Sequence, residues 1–181
     1  MKRKICFLMG GIILFLIIIA CSKGKVPEAE ENFERGSFET SLFSGGGGGS
    51  TGQVVSDPQM VINGKYSAYV KADPEKHEWW EFLYSNSKKI PLEKKATYNV
   101  IFKYKAVEQP KGEGFYYFLA RTNKGGYSHD KNAIRWSDSQ GTVGTKSVNI
   151  TLDDFDDYYL IWGIHSNGAL SIDDIKIKRI K

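Results

Sequence analysis

The side chains with chemistry to offer are unevenly spread along this chain of 181 residues. Its three histidines, His77, His129 and His165, are isolated from one another. None has the one-turn helical spacing with which paired imidazoles hold zinc. Gly48-Gly49-Ser50-Thr51-Gly52 matches the Gly-x-Ser-x-Gly pattern of a nucleophilic serine. That pattern works only on a strand-to-helix elbow, whereas here it falls in a glycine run where composition alone produces it. Acids are plentiful, and a pair of carboxylates could in principle cleave a glycosidic bond, but their order singles out no pair. Asp153-Asp154-Phe155-Asp156-Asp157 lacks the alternating ligands and following glutamate of an EF-hand and reads as a solvated turn that blunts a sheet edge. Of the 2 cysteines, Cys6 and Cys21, neither lies in the body of the chain. The folded part therefore has no disulfide, no cysteine-held zinc and no thiol nucleophile.

Aromatic residues, 13% of the chain, are the more telling group, and strands must position them. Lys65 to Lys71, Glu78 to Ser85, Thr97 to Val107, Phe115 to Arg121, Thr145 to Leu152, Tyr158 to His165 and Leu170 to Ile180 are aromatic and β-branched. Gly, Asn, Asp and Pro clusters separate them at sandwich-like intervals. Alternation is clearest where Tyr98, Val100, Phe102 and Tyr104 interleave with Asn99, Ile101, Lys103 and Lys105, which directs the first set inward and the second outward. Tyr116, Phe118 and Trp162 read as core by the same rule. If Trp80, Phe82 and Tyr84 face inward, Trp79 and Glu81 face out. Parity likewise pairs Tyr117 with Arg121 and Tyr159 with His165 on outer faces. Trp136, between predicted strands, and Tyr127, beside Gly125-Gly126, are expected as loop platforms. No segment after the N-terminal run has helical periodicity, and an all-β sandwich follows.

The N-terminus has its own logic. Lys2, Arg3 and Lys4 precede an apolar run that ends in Ile18-Ile19-Ala20-Cys21. This resembles a bacterial lipoprotein signal peptide: a basic flank, a membrane-entering stretch, a small residue for the peptidase, then the cysteine that takes lipid. An uncleaved anchor helix is the other reading, although the run is short for a full span. Either way the domain works outside the cytoplasmic membrane. We expect residues 1–20 as signal, 21–31 as lipidated cysteine and polar tether, and 32–181 as the folded domain. The formal charge of +4 then misleads. Taking Lys2, Arg3 and Lys4 from 25 basic residues leaves 22 against 21 acidic ones, net +1, with no clustered basic face for nucleic acid. Gly45 to Gly49 is too entropically costly to hold a strand or helix and reads as a mobile loop.

Four motifs carry a family resemblance. Asn32-Phe33-Glu34-Arg35-Gly36 opens the domain, Gly64-Lys65-Tyr66-Ser67 begins an early strand, Ala96-Thr97-Tyr98-Asn99-Val100 lies centrally, and Ser171-Ile172-Asp173-Asp174-Ile175-Lys176-Ile177 closes it. In order and spacing they resemble the galactose-binding-like jelly-roll carbohydrate-binding modules grouped as family 4/9, over roughly residues 32 to 180. One departure is that the family often has a tryptophan soon after the opening motif, where this chain has glycine.

The resemblance implies a jelly roll that binds a polysaccharide or glycan and catalyses nothing, with a structural Ca²⁺ near the chain ends. Glu34 from one end and Asp173 or Asp174 from the other would supply oxygens for it. Sugar recognition needs aromatic faces for pyranose C–H groups and planar polar groups for hydroxyls. The outward set offers both: Trp79, Glu81, Asn99, Lys103, Tyr117, Arg121, Tyr159 and His165, joined by Tyr127 and Trp136 from loops. The competing expectation is a structural or protein-interaction sandwich without a sugar site. Whether Trp79, Tyr117 and Trp136 share one exposed concave surface separates the two.

Overall fold

The computed structural model describes residues 29–46, 51–124 and 127–181. The expected signal, Cys21 and the tether as far as residue 28 lie outside the described residues, as does most of the glycine run. Among the described residues eleven strands form two antiparallel sheets. The strands are β1 (Ala29–Glu31), β2 (Phe43–Gly45), β3 (Gln53–Val55), β4 (Ser67–Ala72), β5 (Trp79–Ser85), β6 (Thr97–Glu108), β7 (Phe115–Thr122), β8 (Lys131–Trp136), β9 (Val143–Thr151), β10 (Tyr158–His165) and β11 (Gly168–Arg179). The first sheet has the order β3-β4-β11-β6-β9, with β1 also paired to β11; the second has the order β2-β5-β10-β7-β8. Among the described residues the only helical element is the short 3-10 turn Tyr127–His129, and no helix is long and apolar enough to cross a membrane. The all-β sandwich is the architecture that the alternation predicts.

Alternation also builds the core. From β6, Tyr98, Val100, Phe102 and Tyr104 point between the sheets, where Phe102 meets Phe118 of β7 and Trp162 of β10 at ring-centroid distances of 5.5 Å each. Strands of three residues are too short to display a period of two. One of them, β1, lies within the stretch expected as tether: Ala29 to Glu31 pair with Ile177 to Ile175 of β11. A polar Ala-Glu-Glu segment becomes a strand because β11 offers it an open edge, which local propensity does not register.

The larger correction concerns β8. The segment expected as a loop carrying an exposed Trp136 pairs with β7, Trp136 opposite Tyr116. Its indole is buried against Phe102, Tyr104 and Tyr116. Trp136 is therefore core and cannot serve as a platform. Asp153 to Asp157 links β9 to β10, and its acids meet lysines: Asp153 pairs with Lys131 and Asp154 with Lys95.

Candidate functional site

The outer face of the second sheet collects alternate residues of β5, β7 and β10. Trp79 and Glu81 come from β5, Tyr117, Leu119 and Arg121 from β7, and Tyr159, Ile161, Gly163 and His165 from β10. One bulge alters the expected set. Trp162 pairs with Leu83 and Gly163 with Glu81, so Phe82 is an extra residue on β5. Phe82 and Leu83 both turn inward, and Tyr84, expected in the core, emerges outside, donating its hydroxyl to Glu81 Oε2 at 2.9 Å. A bulge reverses the parity of everything after it.

At one end of this face Trp79 stands 46% exposed. Its indole meets His165 at 4.5 Å, Tyr117 at 5.4 Å and Phe115 at 5.8 Å between ring centroids, each edge-on. His165 lies flat on Phe115, 4.6 Å away with planes 9° apart. Its ring nitrogens contact Glu78 Oε1 at 2.9 Å and the Glu113 carbonyl at 3.2 Å. Arg135 of β8 places its guanidinium 4.6 Å from the Phe115 ring. Trp79 is thus an exposed surface braced by an ordered set of rings, so that little further ordering accompanies binding. Tyr117, expected as an exposed sugar contact, is instead covered and forms the floor beneath Trp79, with a hydroxyl that has no partner among the described residues. Of Trp79, Tyr117 and Trp136, Trp79 alone is exposed, and the three share no open surface.

From its middle to the end away from Trp79 the face is ionic, with Arg121 opposite Tyr159. Arg121 gives Nε to Asp130 Oδ1 and Nη2 to Asp130 Oδ2, both at 2.9 Å, and Nη1 to Glu81 Oε1 at 2.5 Å. Burial opposes the guanidinium charge, but the bonds to Asp130 and Glu81 outweigh it and raise the Arg121 pKa further. Burial and the bond to Glu81 likewise push the Tyr84 hydroxyl upward. Tyr127, 80% exposed, lays its ring 4.5 Å from the Arg121 guanidinium carbon. Exposed aromatic faces at Trp79 and Tyr127 therefore flank a row of fixed hydrogen-bonding groups.

The remaining expected site residues lie elsewhere. Asn99 and Lys103 do point outward, but from the first sheet, on the opposite side of the sandwich. Asn99 Nδ2 bonds Ser147 Oγ at 3.0 Å and Asn149 Oδ1 at 2.8 Å, and Lys103 pairs with Asp174 at 2.7 Å. Facing outward did not say which face. Conversely, Asp130 and Phe115 join the site without having been expected there. Asp130 lies just before β8, and its role depends on that strand.

The chain-end acids do meet a common segment. Glu34 accepts the Lys65 amide with both oxygens, at 2.9 and 3.2 Å. Asp173, 1% exposed, accepts the Ser67 hydroxyl at 2.7 Å and the Asp174 amide at 2.7 Å, while Asp174 Oδ2 takes Asn63 Nδ2 at 3.2 Å. Burial pushes the Asp173 carboxyl up to about 6. Among the described residues no three of His, Cys, Asp and Glu group to hold a metal, so an ion here needs hydroxyl and carbonyl oxygens as well. A buried carboxylate without an ion-paired partner, beside Ser67 and the Glu34-braced loop, is an oxygen donor set of the kind a hard cation takes. Gly64 is required here: at φ +62, a Cβ would meet Glu34 Oε1 at 2.1 Å.

Comparison with known proteins gives fold without family. No family model matches the chain, and no curated protein matches it. Solved structures do. A CBM22-1 xylan-binding domain of Paenibacillus barcinonensis Xyn10C superposes with TM-score 0.62 at 14% identity, over 84% of this chain and 94% of that one. A cleaved adhesin domain of Lys-gingipain from Porphyromonas gingivalis gives 0.60 at 14%, over 86% and 99%. TmCBM61, solved in complex with beta-1,4-galactotriose, gives 0.51 at 18%, over 83% and 95%. The chain has the jelly-roll β-sandwich fold of carbohydrate-binding modules.

Proposed function

We propose that this protein is a non-catalytic carbohydrate-binding module that captures a polysaccharide or glycan on the outer face of its second sheet. The observation that carries the reading is the exposed Trp79 indole, braced by His165, Phe115 and Tyr117 beside the Glu81–Arg121–Asp130 row. An indole face suits the C–H face of a pyranose, and fixed acid and guanidinium groups suit hydroxyls. Glu81 and Asp130 are both tied to Arg121, the opposite of the setting that keeps a carboxylic acid protonated for cleaving a glycosidic bond. The structural neighbours support the same reading, since two of them are described as a xylan-binding domain and as a complex with a galactooligosaccharide. Whether the module falls within family 4/9 rests on the motifs alone.

Two further parts belong to the proposal. Lipid on Cys21 holds the domain at the outer side of the cytoplasmic membrane, where many weak sites act together. Calcium, when bound, would be held by Glu34, Asp173 and Ser67, tying the two chain ends together. Titration calorimetry of the chain from Ser22 onward against soluble polysaccharides tests the binding. Saturable heat with one glycan class is expected; silence from a folded domain across a broad panel would sink the reading. For the anchor, Cys21→Ser should move the protein from membrane to soluble fraction, and unchanged partitioning would remove that part.

A further inference from the structure

At the opposite end of the same face from Trp79, a shallow cleft of about 360 Å³ opens among Ser44, Asn86, Ser87, Lys88, Asn123 and Tyr159. That volume lies within the range of small-ligand sites. Its walls come from β2, the turn after β5, the turn after β7, and the start of β10. Asn86 commits its carbonyl oxygen to the amides of Lys88 and Lys89, at 3.0 and 3.2 Å. The side chains of Ser44, Ser87, Lys88 and Asn123 have no hydrogen bond or ion pair among the described residues. Tyr159, half-buried, packs beside Tyr84 with centroids 6.0 Å apart and supplies an aromatic wall.

We infer that this cleft is a second subsite, for a sugar unit that carries a carboxylate. The inference rests on the sugar-binding reading of the face. Hydroxyls and amides that donate and accept are the partners sugar hydroxyls need, and Tyr159 supports the C–H face. Lys88 adds an unpaired cation at the rim, a point charge that suits a carboxylate. Arg121, across from Tyr159, is already engaged by Glu81 and Asp130, so Lys88 is the cation left to meet a carboxylate. An acidic unit is therefore admitted at the Lys88 end and a neutral unit at the Trp79 end. Along β10, Tyr159 and His165 are separated by about 20 Å at ~3.3 Å per residue. The ligand is thus an extended heteropolymer stretch that mixes neutral and uronic acid units.

The test uses a panel of uronate-containing polysaccharides, each paired with its carboxyl-reduced form, titrated into the protein and into Lys88→Gln and Trp79→Ala. At least one native polymer should bind about tenfold more tightly than its reduced form. That advantage should collapse in Lys88→Gln and at raised salt, with the melting temperature unchanged, whereas Trp79→Ala should weaken both forms. Equal binding of native and reduced forms, or an unaltered advantage in Lys88→Gln, would overturn the acidic subsite. A Trp79→Ala loss in that same experiment would leave the sugar-binding face standing. Failure of every polymer, acidic and reduced, overturns both.

Discussion

The phenol of Tyr117 lies directly over Gly163: a Cβ built on Gly163 would come within 2.2 Å of the ring. The glycine is what lets Tyr117 lie flat, and Tyr117 is what Trp79 leans on. Gly163→Ala should tilt the ring, cost about 1–3 kcal/mol by overpacking, and weaken glycan binding although residue 163 touches no ligand. Thermal unfolding and calorimetry on the same sample check this. Unchanged affinity would show that the platform does not depend on its floor.

Trp79 and Trp136 separate site from core. Trp79→Ala removes a half-exposed indole and should change stability by no more than about 1 kcal/mol, while lowering affinity about tenfold or more. Trp136→Ala empties a buried position and should cost about 3–5 kcal/mol, with affinity falling only as the folded fraction falls. Denaturant unfolding beside binding isotherms distinguishes the two. Global unfolding of Trp79→Ala would place it in the core instead.

Arg121→Ala removes the cation that Glu81 and Asp130 share. The side chains are largely but not fully covered, at 12%, 21% and 19% exposure. The loss should therefore fall between surface and buried cases, about 2 kcal/mol. Arg121→Lys should recover only part of it, since an ammonium cannot span both acids as the fork does. Full rescue by lysine, read from the melting temperature, would reduce the role of Arg121 to charge alone.

Asp173 sets a pH dependence of definite sign. Its carboxyl is pushed up to about 6 by burial, above the value it has in the unfolded chain. The native state therefore holds the proton more tightly, and stability falls as pH rises from about 4 through about 6, by up to about 3 kcal/mol. Asp173→Asn should abolish that slope. Calcium held as proposed would compete with the proton, so added calcium should raise the melting temperature above pH 6, chelator should reverse it, and Asp173→Asn should be indifferent to both. A calcium effect that survives Asp173→Asn would place the ion elsewhere.

Most of the sandwich was legible because β6 is long and strictly alternating, while β7 and β10 are unbroken aromatic and β-branched runs. The short strands were not: β1 and β2 have three residues each, too few to show a period. Their pairing is decided by the edges of β11 and β5. Parity placed Trp79, Glu81, Tyr117, Arg121, Tyr159 and His165 on an outer face, and all lie on that side of one sheet, although Tyr117 is covered there. Parity alone could not assign Asn99 and Lys103 to the other sheet, because sheet membership is topology. Tyr84 escaped because a bulge carries no composition signal when the extra residue is itself a phenylalanine. Trp136 misled because Lys-Asn-Ala-Ile-Arg-Trp reads as connector until Tyr116 is seen opposite it.

The register of β1 gives the molecule a polarity. Ala29 pairs with Ile177, near the finish of β11, whereas His165 and Trp79 lie beside the two-residue link from β10 to Gly168, where β11 starts. The chain thus joins the sandwich at the pole opposite the indole. A leash fastened ahead of Ala29 would tow the domain by its tail and leave Trp79 at the leading tip, with the strands of the second sheet aligned from the anchor outward. A glycan lying from Tyr159 to Trp79 would then run radially, away from the cell.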